Sequence, residues 1–315
     1  MKVLVVGGAG YIGGAVTDAL LTKGIRFTVY DSLLYEPHYL KDVDFLRGDV
    51  RDTKLLKAIL PAYTHVVWLA AIVGDGACAI TPGLTRAVNA ISVCWLAKNF
   101  DGRIIFMSTC SVYGEHDGEV AEDGRTNPLS LYAKTKLDAE DFLQNHENAL
   151  IFRLGTVFGI SDTYSRPRMD LVANQMPVSA LTKGELILSG GDQWRPMIHV
   201  KDVANAIVDN LDRPVRGIYN LATVNIQIQD LAAECARITG CRIRTEARSG
   251  DPRNYRADTS KASRDGVFRL PLHSVTYGMR EFVTLVRSGR IGDVDNSVYF
   301  NVRHIGGLKT NGKLA

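Results

Sequence analysis

The chain has 315 residues, 46% of them hydrophobic, with a mean hydropathy of −0.02, as suits a soluble globular protein of one large domain or a large domain with a smaller partner. A net charge of +3 is too slight to argue for nucleic acid or a membrane surface, and no apolar run is long enough to span a bilayer. The start, Met1-Lys2-Val3-Leu4, enters a strand directly with no room for a signal peptide, so the cytoplasm is the expected compartment.

Lys2 to Val6 reads as a compact strand and Tyr11 to Thr22 as a helix. Arg26 to Tyr30 and His65 to Ala71 are strands, with a third short one ahead of Asp49. Thr85 to Phe100 is helical, Arg103 to Ser108 strand, Leu131 to Asn145 helix, and Ala149 to Gly155 one more buried strand. Such alternation, with near-continuous apolar strands, predicts an α/β fold in which a doubly wound parallel sheet is covered by helices on both faces.

Beyond about residue 160 the texture changes. Ser161 to Met169 is a polar loop holding Arg166-Pro167-Arg168, Gly190-Gly191-Asp192 a turn, Val203 to Leu211 a helix and Ile218 to Ala222 a strand. The expected division is a nucleotide-binding domain from 1–160 and 192–224, and a smaller mixed α/β substrate-binding domain from 161–191 and 225–300. Residues 301–315 read as a tail, and Lys313-Leu314-Ala315 resemble the start of a vector-encoded tag. Cys78, Cys94, Cys110, Cys235 and Cys241 lack paired CxxC spacing and read as small apolar residues; the scattered histidines form no helix-face pair, so no metal site is expected.

The first strand runs into Gly7-Gly8-Ala9-Gly10-Tyr11-Ile12-Gly13. A tight turn after a strand needs a residue without Cβ (Gly7), backbone approach to a pyrophosphate needs another (Gly10), and helix–strand packing a third (Gly13). The helix that follows offers unsatisfied N–H groups to the phosphates. Glycine trios are common, but this one follows a strand and opens a helix, the context of a Rossmann dinucleotide fold. Asp31 ends the second strand at about the expected 20 residues on, where a carboxylate binds ribose hydroxyls and repels a 2′-phosphate. No arginine follows in Asp31-Ser32-Leu33, which favours NAD over NADP. Asp49 and Val50, after the third short strand, are placed to hold the adenine edge.

Tyr132 and Lys136 lie four apart on a predicted helix and share a face. A phenol titrates near 10 and is a poor base at neutral pH; an ammonium one turn away favours the phenolate. Upstream, Phe106-Met107-Ser108-Thr109 puts a hydroxyl at the carboxyl end of a strand, where α/β folds bind ligands. Thr109 can bond a substrate hydroxyl while Tyr132 takes its proton.

With GGAGYIG, Asp31, STCSVYG and YAKTK in view, the chain resembles the extended short-chain dehydrogenases that modify nucleotide sugars: UDP-glucose 4-epimerases, sugar-nucleotide dehydratases and 4-ketoreductases. That resemblance spans about residues 2–300. It implies catalytic roles for Thr109, Tyr132 and Lys136, the lysine also holding the nicotinamide ribose, and cofactor contacts from Leu69, Ala70, Ala71 and Asn89 beside Tyr11 and Ile12 of the glycine turn. It places Arg195, in Gln193-Trp194-Arg195-Pro196, and Arg248, in Arg248-Ser249-Gly250-Asp251, on the substrate diphosphate, with Asp251 on its ribose; Asn174 reads either as a further phosphate contact or as a loop cap. It implies a homodimer through helices 85–100 and 131–145.

Where 4,6-dehydratases carry an acidic pair after the catalytic threonine, Cys110-Ser111 stand here, which disfavours dehydration. Thr156 follows Gly155 where many epimerases have Asn, and Val73 replaces a lysine that often follows the fourth strand. The reading is therefore an NAD-dependent enzyme that oxidises the sugar 4-hydroxyl, foremost a 4-epimerase. The alternative is a 4-dehydrogenase or 4-ketoreductase, and the Arg166–Leu171 loop faintly resembles members acting on GDP-linked heptoses. Two further classes stay open. A non-catalytic NAD sensor would usually lose Tyr132 or Lys136, and a small-alcohol dehydrogenase would have no use for two diphosphate arginines.

Overall fold

The computed structural model describes every residue except Glu36, 248–252, Leu270 and Ala315. Seven strands form the main sheet: β1 (Val3–Val6), β2 (Phe27–Asp31), β3 (Phe45–Arg47), β4 (His65–Trp68), β5 (Arg103–Thr109), β6 (Ala149–Leu154) and β7 (Gly217–Leu221). Their order is β7-β6-β5-β4-β1-β2-β3, every pairing parallel. The order reverses beside β1, so a crevice opens there at the carboxyl ends of the strands.

Both faces of this sheet are buried, as the continuous apolar strands predicted. Val3 and Val5 enter one cluster with Val16, Leu20 and Ile207, while Leu4 and Val6 enter the other with Trp68, Leu96 and Phe106. Helix α1 (Tyr11–Thr22) covers the first face. Three more helices matter to the site: α2 (Asp75–Ile80), α3 (Leu131–Leu143) and α4 (Val172–Lys183). Where one helix was expected over 85–100, a π-helical turn, Ala87–Ile91, separates Pro82–Arg86 from Ser92–Asn99. The strand expected over His65–Ala71 stops at Trp68, because the N–H groups of Leu69 and Ala70 both turn back to the Val6 carbonyl.

A second layer lies over the crevice. The strands Glu185–Ser189 and Trp194–His199, with α4 and the helices Ile228–Thr239 and Val275–Arg287, pack around Phe158, Met176, Leu188, Met197 and Met279. Residues 301–310, read above as tail, form a helix, α5 (Asn301–Thr310), with Ile305 buried against Ile72, Ala77 and Cys78. An apolar stripe facing α2 explains the difference. Among the described residues no helix is long and apolar enough to cross a membrane.

Candidate active site

A cavity of about 1250 Å³ occupies the crevice, and most of the residues singled out in the sequence line it. At one end is the glycine turn. Gly7 has φ +83°, and a Cβ there would stand 2.5 Å from the Ala70 nitrogen; one on Gly13 would stand 2.4 Å from the Gly8 carbonyl oxygen. Backbone therefore packs on backbone, and Gly10, Tyr11 and Ile12 bring the first turn of α1 to the cavity wall. The close-packed turn leaves the N–H groups at the start of α1 facing the cavity, which suits a diphosphate.

Asp31 lines the same end and accepts from Ala9 N at 3.1 Å and Leu33 N at 2.8 Å. Burial raises its carboxyl above the ordinary range against the pull of those amides. Asp49 also faces the cavity, its carboxylate gripped by Arg51 Nη2 at 2.8 Å and held below its ordinary pKa by that guanidinium despite partial burial. Val50, Leu69, Ala70 and Ala71 complete this wall. Adenine, ribose and diphosphate of a dinucleotide thus all meet suitable groups. Asn89 is the exception: it does not line the cavity, and its amide bonds both N–H (2.8 Å) and carbonyl (2.9 Å) of Ile72. It shapes the loop after β4.

Thr109 ends β5, and α3 begins beside it with Ser130 Oγ capping the Ala133 N–H. Tyr132 lies in the first turn, with Thr109 near enough to favour its phenolate; Lys136 lies one turn on, and all three line the cavity. Lys136 Nζ donates to the Met107 carbonyl at 2.7 Å and stands 4.6 Å from the Phe106 ring centroid. Burial lowers this lysine to about 8 and pushes the Tyr132 phenol well above its ordinary value. The expected effect of the ammonium on the phenol is thus outweighed by burial. Among the charges acting on Tyr132, Arg168 favours the phenolate, while Asp75 opposes it.

The substrate side is assembled differently. Arg195 lines the cavity, donating through Nη1 to the Trp194 carbonyl (2.8 Å) and the Arg253 carbonyl (2.6 Å). Arg248 and Asp251 fall outside the described residues. Of the two readings of Asn174 the structure shows the loop cap: fully buried, it accepts from Gly159 N at 2.9 Å and donates to the Arg168 carbonyl at 2.9 Å. It holds the arginine loop in place. Sequence reasoning did not place Arg166, Arg168, Asp75, Arg253 or Asn301 in the site, yet all of them line it. The arginine loop had been singled out by its resemblance alone, while Asn301 carried no local signal.

Comparison with known proteins agrees with this geometry. The model of the NAD dependent epimerase/dehydratase family matches residues 3–222. The chain is 30% identical over 298 residues to UDP-glucose 4-epimerase of Halalkalibacterium halodurans, covering 83% of this chain and 88% of that protein. UDP-glucuronic acid 4-epimerase of Bacillus cereus, solved with UDP-glucuronic acid and NAD, is 25% identical with TM-score 0.78, covering 91% of this chain and 99% of the other. UDP-glucose 4-epimerase of Thermus thermophilus, solved with NAD, shares the fold at 24% identity and TM-score 0.76, over 90% and 99%.

Proposed function

The chain belongs to the NAD dependent epimerase/dehydratase family, and from that premise we propose that it inverts carbon 4 of the sugar in a nucleotide-diphosphate sugar, with UDP-sugars as the first class to test. The observation that carries this reading is that Thr109, Tyr132 and Lys136 line the same cavity as the glycine turn and Arg195. Related proteins named for 4-epimerisation of UDP-glucose and UDP-arabinose support the choice of reaction and nucleotide.

In this reading Tyr132 removes the proton of the sugar 4-hydroxyl. Thr109, which lines the same cavity, holds the same hydroxyl in line. Lys136 anchors the end of the site through Met107 and supplies positive charge as the phenolate forms. When bound, NAD accepts a hydride from carbon 4 and returns it. The sugar must turn over before the return, and Tyr132 then gives its proton back to the new 4-hydroxyl. Cys110 is fully buried, its thiol pushed up by that burial and bonded to the Arg153 carbonyl, so it supplies no acid for water elimination.

The test is incubation with UDP-glucose, UDP-galactose, UDP-arabinose and UDP-glucuronic acid, with products read by NMR. Appearance of the 4-epimer without net NADH is expected. Stoichiometric NADH with a keto product would replace this reading by the 4-dehydrogenase one. The proposal includes a homodimer, supported by Ile91 (63% exposed) and Phe142 (43% exposed) on the two neighbouring segments. Light scattering at micromolar concentration checks it.

A further inference from the structure

Asn301 opens α5 and is 1% exposed, on the cavity wall. Its backbone N–H donates to Asp170 Oδ2 at 3.0 Å, its Nδ2 donates to the Val73 carbonyl at 2.8 Å, and its Oδ1 accepts from Arg166 Nη2. A carboxamide alone can meet both side-chain partners: a carboxylate has no proton for Val73, and a methyl group serves neither. One residue thus joins the loop after β4 to the arginine loop 166–170.

The segment around it is anchored on every side. Arg166 Nη1 donates to the Val298 carbonyl at 2.6 Å, Met169 N to the Tyr299 carbonyl at 3.0 Å, and His304 Nε2 meets the Leu34 carbonyl at 2.9 Å. A Cβ on Gly76 would meet Val302 at 2.8 Å, so α5 lies directly on α2. Asp170, held by Asn301, grips Arg168 through both oxygens, Nε–Oδ1 at 2.6 Å and Nη2–Oδ2 at 3.1 Å. Arg168 in turn lines the cavity with Tyr132.

We propose that Asn301 is a positioning residue of the reaction: by tying the loop after β4 to the arginine loop, it sets where Arg168 stands relative to Tyr132. This rests on Tyr132 being the base of the proposed epimerase. The groups acting on that phenol are Arg168 from the arginine loop, Asp75 and Cys78 from α2, Thr109 from β5, and Lys136 one turn away on α3. Arg168 is the one held through Asn301, and it favours the phenolate.

The test compares NAD-loaded wild type with NAD-loaded Asn301→Ala and Asn301→Asp, in which the charge of the oxidised nicotinamide favours the phenolate, reading the pH profile of kcat/KM and, separately, the Tyr132 titration by 13Cζ-tyrosine NMR, the resonance assigned by its loss in Tyr132→Phe. Loosening Arg168 should move both the acid limb and the Tyr132 titration upward by about one pH unit, ~10-fold in kcat/KM below the limb. Asn301→Asp should shift them further, since it adds a carboxylate beside Asp170. Arg166→Met cuts the same tie from the other side and covers the case in which Asn301 variants do not fold. Unchanged profiles and titration in folded variants, with only a lower Tm, would overturn the proposal. If the wild type turns over no nucleotide sugar, the epimerase reading fails, while the NMR titration still decides the role of Asn301.

Discussion

The two ends of the cavity are built by different means. The dinucleotide end is made by neighbours in sequence: Gly7 to Gly13 form one turn, and the carboxylate of Asp31 is fixed by the N–H groups of Ala9 and Leu33. The substrate end is made by side chains from distant segments, with Arg195 tied to the Arg253 carbonyl, and Arg168 reached through Asp170 and Asn301. Local backbone geometry is specified by a few residue types, so it is written in short motifs. Convergent side chains depend on the whole fold, so each can change without a visible local trace. The proposed chemistry takes place between them, at Thr109 and Tyr132.

The largest effect is expected at that junction. Tyr132→Phe should lower kcat by roughly 10²–10⁴ while dinucleotide and sugar-nucleotide affinities stay close to wild type. Near-normal turnover would remove Tyr132 as the base. Next comes the scaffold beneath the junction. Glu140, one turn after Lys136, pairs with Arg153 Nη2 at 2.7 Å, and both side chains are almost wholly buried. Glu140→Ala leaves that guanidinium without its carboxylate and should cost about 3–5 kcal/mol in denaturant unfolding. A loss below about 1 kcal/mol would mean that the pair does not hold α3 against the sheet. Smaller still, Arg195→Ala should raise KM for the sugar nucleotide roughly 10–100-fold, the value of a lost charged hydrogen bond, and leave dinucleotide affinity alone. Equal loss of both affinities would show that the two ends are not independent.

Most of the main sheet and the dinucleotide end were legible, because apolar runs and the glycine turn each have one physical reading. The π-turn at Ala87–Ile91 was hidden: it carries Asn89, whose bond to the Ile72 backbone is a tertiary one with no periodicity of its own. The choice between the two readings of Asn174 was hidden for a related reason. Resemblance fixes a position along the chain, but the direction of the amide is set by Gly159 and Arg168, which only the fold brings together. The same holds for residues 301–310, whose short apolar stripe gains meaning only once α2 offers a surface. Tyr132 and Lys136 were found by spacing, whereas the balance of charges around them could not be. Burial depends on what covers the site.

That balance gives the last prediction, which concerns stability. Lys136 is lowered to about 8 by burial, whereas an unfolded lysine titrates near 10.4. Below pH 8 both states carry the charge, and the folded state bears the full cost of burying it. Between about 8 and 10 the unfolded state binds more protons, so stability rises with pH across this window. Lys136→Met fills similar volume without a charge and removes that cost. In dinucleotide-free protein the variant should therefore melt above wild type at pH 7, and the gap should narrow as pH rises towards 10. Tyr132 acts in the opposite sense only above about pH 10, where an unfolded phenol ionises and the buried one does not. Thermal melts at pH 7, 8, 9 and 10 measure the gap. A constant difference would mean that Lys136 carries no buried charge, and the electrostatic support assigned to it at Tyr132 would have to come from Arg168 alone.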